Sequence, residues 1–262
     1  MFKYSSRFWL YAPTMLFLLL AVAVMVHWWM AAGAFEKKLA ALKGREAVPG
    51  ITLNWDKVEV GGFPFRLDGK FQNLNIAGAG AHGPFFWRSE KFAMHGLTYG
   101  RSQDVYEAAG RQQINWTDAK GKSVGALFVS GSMRGSSSLD GKGLKRFDLD
   151  IAELQGQRVT IARLQFHMRR DPNGSDLDLM ARIDSLYWRH TIDSGFMLIE
   201  TYATLKRAAP LHSLLRGEES WPQAVANWRR GGGVLQQNSA TVNVRGITHP
   251  KTTAAEIFHP LY

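Results

Sequence analysis

Residues 158–188 read RVTIARLQFHMRRDPNGSDLDLMARIDSLYW, and this stretch decides the fold. Apolar side chains recur at alternate positions in both halves, with one slip near Arg163: Val159, Ile161, Leu164, Phe166 and Met168, then Leu177, Leu179, Ala181 and Ile183. The Asp-Pro-Asn-Gly sequence at 171–174 between them is a strong turn signal. The stretch therefore predicts an antiparallel hairpin with one apolar and one charged face.

The same texture extends over most of the chain. Short alternating segments separated by Gly, Asn, Asp and Ser recur from residue 51, with a bulge or turn expected at Asp56-Lys57. The further predicted strands are 71–78, 91–100, 112–118, 125–133, 146–154 and 234–246. We therefore predict a mainly β (α+β) chain with an antiparallel, curled β-sheet or groove over 51–247 and an irregular tail over 248–262.

Helical spacing returns once in this β-rich region. Apolar side chains at 210–230 repeat every three or four positions, Pro222 suits the first turn of a helix, and Gly231-Gly232-Gly233 ends it. A short helical pair packed on the sheet is the favoured interpretation. A DNA-binding helix-turn-helix is the sharper alternative.

Composition limits the function classes. The 262 residues contain 45% hydrophobic and 21% charged residues, as in a folded globular chain. There is no cysteine, which excludes disulfide scaffolds, thiolate metal sites and cysteine nucleophiles. The formal net charge of +10 suits nucleic acid, an anionic membrane surface or an acidic ligand, and does not choose among them.

The N-terminus carries a membrane signal. No Lys, Arg, Asp or Glu occurs from Phe8 to Ala34, and 27 helical residues span roughly 40 Å against the ~30 Å of a hydrocarbon core. A cleaved signal peptide ending at Ala34 is the rival, but the apolar segment is longer than the usual h-region. We predict a cytoplasmic tail and uncleaved signal anchor over 1–34 and a helical stalk or linker over 35–50.

Motifs for chemistry are weak. The glycines at 78–83 match G-x-G-x-x-G, but Pro84 and the aromatic residues after it predict a strand where a dinucleotide site needs a helix. No two histidines have the H-x-x-x-H spacing, and neither a G-x-S-x-G elbow nor a Walker loop occurs. Asp148 and Asp150 are paired carboxylates at strand spacing, which more often form a solvated face than a glycosidase pair. We predict no catalytic, cofactor-binding or metal-binding residues.

Two groups of residues are candidates for lipid contact. In Gly61-Gly62-Phe63-Pro64-Phe65-Arg66 the glycines allow a bend, and the two phenylalanines at strand spacing suit a core or a groove. The candidate groove or core aromatics are Trp55, Phe63, Phe65 and Phe71. The candidate basic rim for an anionic headgroup consists of Arg66, Arg169, Arg170, Arg229 and Arg230. Without an RNP-type aromatic motif, nucleic acid is not an expected partner.

The segment NWDKVEVGGFPFRLDGKFQNLNI (54–76), which follows the N-terminal anchor, resembles the Gram-negative envelope family called domain of unknown function 2125 (DUF2125). The segment WPQAVANWRRGGGVL (221–235) resembles a second recurrent segment of that family. The family is similar in pattern to AsmA-like envelope proteins, whose anchored sheets form grooves linked to outer-membrane lipid homeostasis. The resemblance implies a periplasmic β-groove and, in most members, further strands where this chain has its tail.

These observations together predict an uncharacterised, non-enzymatic, single-pass bacterial inner-membrane protein with most of the chain in the periplasm. Its expected partner is membrane lipid, bound or shielded by apolar faces, and possible further partners are envelope proteins. Two alternatives remain open: an envelope glycan or lipid hydrolase using Asp148 and Asp150, and a purely structural assembly partner.

Overall fold

The computed structural model describes residues 6–80, 82–98, 103–157, 159–172, 174–188 and 196–245. Within these ranges the fold is one long N-terminal helix, one large antiparallel sheet and two short helices near the C-terminus. The helices are α1 (Ser6–Leu42), α2 (Leu211–Leu215) and α3 (Trp221–Arg230). The mainly β, antiparallel fold predicted from alternation is therefore confirmed. The predicted tail over 248–262 lies outside the described residues.

Thirteen strands form the sheet in the described part of the chain. They are β1 (Arg45–Val48), β2 (Ile51–Asn54), β3 (Lys57–Gly61), β4 (Arg66–Ala79), β5 (Pro84–Leu97), β6 (Gln103–Thr117), β7 (Ser123–Val129), β8 (Ser132–Asp140), β9 (Gly143–Gly156), β10 (Val159–Arg170), β11 (Leu177–Trp188), β12 (Phe196–Lys206) and β13 (Val234–Arg245). The order is β1-β2-β4-β5-β6-β7-β9-β10-β11-β12-β13. In addition β3 pairs with β4, and β8 lies between β6 and β9.

The helix α1 consists of two unlike halves. Its side chains from Leu10 to Met30 are almost all exposed and apolar, and Leu10–Leu42 is long and apolar enough to cross a membrane. From Trp28 onward one side packs on the sheet, and Leu39 is only 6% exposed. The helix stops at Leu42, and Arg45–Val48 form a strand, so the segment predicted as a stalk over 35–50 is part of the folded domain.

The first core cluster joins α1 to the sheet. Buried Leu39 packs with Trp55, Phe71 and Leu74, and Phe35 and Leu42 of the same helix face surround them. The i, i+3/i+4 spacing of these helix residues gives one apolar stripe, and this stripe packs on Phe71 and Leu74 of β4. The apolar helix and the sheet therefore share one core.

The helical pair forms a second core cluster, which lies at β11 and therefore away from β4 in the strand order. Leu177 of β11 and Leu211 of α2 pack with Ala208 and Ala224, and both alanines are completely buried. The helices lie against β11, β12 and the start of β9. They form a pair packed on the sheet and not an exposed DNA-recognition helix. This places α2 and α3 over one end of the apolar face of the sheet.

A line of backbone irregularities crosses the sheet. Asn73, Glu153 and Ser185 have positive φ angles, and ladder pairs are missing beside each of them. At each such break the apolar side chains change phase by one residue, so that they lie three positions apart but pack in one cluster: Phe71/Leu74, Ile151/Leu154, Ile161/Leu164 and Ile183/Leu186. The slip expected near Arg163 is one point on this line, and the irregularities keep one face apolar along strands of 12 to 14 residues.

Candidate lipid-contact site beside the apolar helix

The turn between β3 and β4 lies against α1 at the end of its exposed apolar half. Gly62 has φ of +98°, and a Cβ there would lie 2.7 Å from the Arg66 carbonyl oxygen, so the tight turn requires glycine. The backbone N–H of Arg66 donates to the carbonyl of Gly62 at 2.9 Å and closes the turn. The segment Gly62–Phe65, named here the GFPF turn, therefore projects from the sheet between two paired strands.

The four candidate aromatic residues separate into two pairs. Trp55 and Phe71 are 4% and 5% exposed and meet edge to face, with ring centroids 5.2 Å apart. Phe63 and Phe65 are 54% and 53% exposed, because the turn removes them from the ladder whose alternation would have buried them. Trp55 and Phe71 are thus core residues, whereas Phe63 and Phe65 are neither core nor part of a formed groove.

Trp28 of α1 links the helix to the GFPF turn. Its indole N–H donates to the carbonyl oxygen of Arg66 at 2.8 Å. Its ring meets Phe63 edge to face at 5.5 Å, with an interplanar angle of 88°. The other side of the turn is held by Thr98, whose backbone N–H and hydroxyl both donate to the carbonyl of Phe65 at 3.0 Å. The end of the apolar span and the end of the sheet therefore form one surface.

Four of the five arginines predicted to form a basic rim are exposed, and one is buried. Arg66 and Arg169 are exposed and stand on one row of the ladder at the same end of the sheet, and Arg229 and Arg230 are exposed at the end of α3. Arg170 is different, because its side chain is only 5% exposed and is paired with Asp140. The assignment of Arg170 to a headgroup-binding rim was therefore wrong, since neighbouring residues of a strand point to opposite faces.

A charged network that sequence reasoning missed begins at Arg66. Buried Asp68 accepts a hydrogen bond from Arg66 Nη2 at 2.7 Å and contacts His95 Nδ1 at 2.8 Å. Glu107 lies 4.0 Å from the other ring nitrogen of His95 and 3.3 Å from Arg134. These side chains come from β4, β5, β6 and β8, so only the strand register, which alternation does not give, brings them together.

Two opposing effects act on Asp68. Partial burial raises the pKa of its carboxyl, but the hydrogen bonds from Arg66 and His95 outweigh it and hold the pKa below its ordinary value. A folded-state pKa below the unfolded value contributes stability above about pH 4, and this contribution disappears as the pH falls through the folded-state pKa.

We therefore expect Asp68→Asn to make the stability of the domain less dependent on pH in the acid range. The asparagine has no carboxylate to protonate, so the loss of stability between neutral pH and about pH 3 should be smaller than in the wild type. Urea titrations of the full chain in detergent at a series of pH values measure this slope. Glu36→Gln, an exposed carboxylate of α1 outside this network, is the control. Equal slopes in the wild type and Asp68→Asn would contradict the expectation.

Asp148 and Asp150 are both engaged by basic groups. Partial burial raises the pKa of Asp148, but hydrogen bonds from His167 and Arg146 leave it below its ordinary value. The two hydrogen bonds from Arg163, at 2.6 and 2.9 Å, do the same for Asp150. This polar, ion-paired environment differs from the apolar pocket that raises the pKa of a glycosidase general acid.

In the described part of the chain, no second layer covers the middle strands on the apolar face of the sheet. Among the described residues, α1 packs on β1, β3 and β4, α2 and α3 pack near β9, β11 and β12, and the main strand contacts are between hydrogen-bonded neighbours. Half-buried apolar side chains remain on this face between the two helical covers: Phe92, Met94, Met133, Leu149, Leu164, Phe166 and Ile183. This face continues, through the first core cluster, into the apolar helix.

Comparison with known proteins gives a family and no function. Residues 28–245 match the family model described as "Uncharacterized protein conserved in bacteria (DUF2125)". No curated protein and no solved structure matches the chain. The matched range begins at Trp28, where α1 starts to pack on the sheet, and ends at Arg245, the last residue of β13.

Proposed function

Because the chain belongs to the DUF2125 family of uncharacterized proteins conserved in bacteria, we propose that it is a single-pass inner-membrane protein whose periplasmic β domain binds or shields lipid. The coarser part of this statement rests on the family and on one N-terminal helix suited to a membrane. The finer part rests on the apolar face and the basic end of the sheet, and it follows the resemblance to AsmA-like envelope proteins expected from the sequence. Scaffolding of envelope partners is the other role that such an anchored domain performs.

The observation that carries the proposal is the apolar face between α1 and the α2–α3 pair, which no other described element of the chain covers. A soluble sheet normally buries such a face against a second layer. Here the face is continuous with a helix that suits a bilayer, so acyl chains are the apolar material closest to it. Covering the half-buried side chains with hydrocarbon is favourable by about 25 cal/mol per Å² of apolar surface.

The charges at the end of the sheet suit an anionic headgroup. Arg66 stands beside the GFPF turn with more than half of its side chain exposed, and among the described residues Asp68 engages one of its terminal nitrogens, Nη2. The remaining guanidinium N–H groups are available to a phosphate, which arginine binds with bidentate geometry. The mechanism is passive: acyl chains lie on the apolar face while the phosphate stays at the basic end.

We expect the full-length protein, purified in mild detergent from a bacterial envelope, to retain a phospholipid in stoichiometric amount. Native mass spectrometry with lipid extraction measures this. Phe166→Ser, on the apolar face, should reduce the lipid-bound fraction several-fold, because it replaces an apolar surface with a hydroxyl. Gln165→Ser, the neighbouring residue on the opposite face, is the matched control and should retain the lipid.

Circular dichroism establishes that each variant is folded before its lipid content is compared. A folded wild-type protein without lipid, or equal lipid in the two variants, would contradict lipid binding by this face. Stable co-purification of other envelope proteins with a lipid-free domain would instead favour the scaffolding role.

A further inference from the structure

The GFPF turn has three unusual properties together: it is apolar, it is exposed and it lies beside the end of a membrane-type helix. Phe63 and Phe65 each expose more than half of their surface, although the same sheet buries Phe71 six residues further on. Isolated exposed apolar residues need no explanation. Two phenylalanines held on a structured turn against Trp28 form a local apolar surface with a defined neighbour.

The position of Trp28 along α1 sets the depth of this surface. The last basic residue before the apolar run is Arg7, and Trp28 lies 21 positions further along the helix. At about 1.5 Å per residue this is roughly 32 Å, close to the ~30 Å thickness of a hydrocarbon core. With Arg7 at one boundary of the bilayer, Trp28 and Trp29 therefore stand at the other, where tryptophan is enriched.

The packing of α1 gives the same boundary independently. The helix is exposed on nearly all sides before Trp28 and packs on the sheet after it. The sheet therefore begins at the depth where the hydrocarbon ends. The GFPF turn is the part of the sheet that contacts the helix at this level, through Trp28 and Phe63.

Three backbone carbonyl groups in the turn and directly after it already have hydrogen-bond donors within the protein. The carbonyl of Gly62 accepts from Arg66 N–H, that of Phe65 accepts from Thr98, and that of Arg66 accepts from the Trp28 indole. Carbonyl groups that already have donors cost less to move out of water. In the last of these bonds the turn takes the place of the headgroup or water that an interfacial tryptophan usually finds.

We propose that the GFPF turn is a second membrane-contacting element, which inserts Phe63 and Phe65 into the interface of the leaflet from which α1 emerges. The partner is the lipid bilayer itself, and Arg66 lies at the level of the lipid phosphates. The proposal requires α1 to span the membrane, but it does not require the apolar face of the sheet to hold a lipid. Insertion and lipid retention can therefore fail separately.

The absence of cysteine from the sequence makes a direct test simple. Phe65→Cys in the full chain is labelled with an environment-sensitive nitrobenzoxadiazole probe and reconstituted in vesicles of phosphatidylcholine and phosphatidylglycerol. The control is Lys120→Cys, an exposed residue in the turn between β6 and β7 at the far end of the sheet. Emission wavelength and quenching by brominated lipids report the depth of each probe, whichever way the protein is oriented in the vesicle.

We expect the probe at position 65 to emit at shorter wavelength and to be quenched several-fold more strongly by brominated lipid than the probe at position 120. Adding Phe63→Ser to Phe65→Cys should move the emission back toward the value in water, because the neighbouring apolar side chain is lost. Circular dichroism checks that this double variant keeps its sheet. Equal quenching at 65 and 120, or a depth at 65 unchanged by Phe63→Ser in the folded protein, would overturn the proposal.

Discussion

Trp55→Ala is expected to reduce the free energy of unfolding of the β domain by about 3–5 kcal/mol, the usual cost of removing a large buried aromatic side chain. Trp55 is 4% exposed and lies between Phe71 of β4 and Leu39 of α1. The cavity would therefore open at the contact between the anchor helix and the sheet. The loss should appear both as reduced stability and as weaker packing of Leu39 and Phe35 on β4.

Chemical denaturation of the full chain in detergent, followed by the circular dichroism of the sheet, measures this effect. Trp221→Ala is the matched control, because Trp221 is 44% exposed at the start of α3. Limited proteolysis after Lys43, just beyond the helix, provides a second readout of whether α1 has separated from the sheet. A destabilisation no larger than that of Trp221→Ala would show that the helix and the sheet do not share a core.

The second large effect is expected for Arg170→Met, which removes a buried cation. The guanidinium group pairs with Asp140 and donates to the carbonyl oxygens of Lys142 and Leu144 at 2.8 and 3.5 Å. Methionine fills much of the volume but supplies no donor, so these groups lose their partner. Breaking a fully buried pair costs about 3–5 kcal/mol, but the Asp140 side chain is 39% exposed and keeps contact with water, so we expect a loss of about 2 kcal/mol.

The neighbouring Arg169→Met is the control for this prediction. Arg169 is 69% exposed, and its contact with Asp178 is 3.6 Å long, so its removal should cost little. The two variants should also differ in their response to salt, because an exposed pair is screened and a buried one much less so. Equal denaturation midpoints for Arg169→Met and Arg170→Met would contradict the assignment of Arg170 to the interior.

The parts of the fold that follow from local pattern were predictable. Alternation and the Asp-Pro-Asn-Gly turn gave the hairpin of β10 and β11, and the charge-free run gave the apolar helix. β12 (Phe196–Lys206) was missed because it begins FMLI, four apolar residues in succession, and so shows no alternation at its start. Arg45–Val48 was assigned to the stalk because Leu39 and Leu42 continue a helical stripe that ends there.

The candidate site was less predictable, for a different physical reason. The exposure of Phe63 and Phe65 depends on a turn that takes them out of the strand, and two phenylalanines one residue apart have the same spacing in a strand and in this turn. The pairing of Asp68 with His95 depends on which residue of β4 stands opposite which residue of β5. Register of this kind is fixed by the whole sheet, so no local window of sequence contains it.

If α1 spans a membrane as proposed, its uninterrupted passage into the domain core determines how the domain is oriented on the bilayer. A flexible tether would let a domain swing through a hemisphere and search for distant partners. Here the helix enters the folded domain without a hinge, because Phe35, Leu39 and Leu42 are packed in the first core cluster. Any tilt of the helix must tilt the entire sheet with it. In the proposed anchored protein, the thickness of the bilayer, which acts on helix tilt, would thereby set the direction in which this domain points.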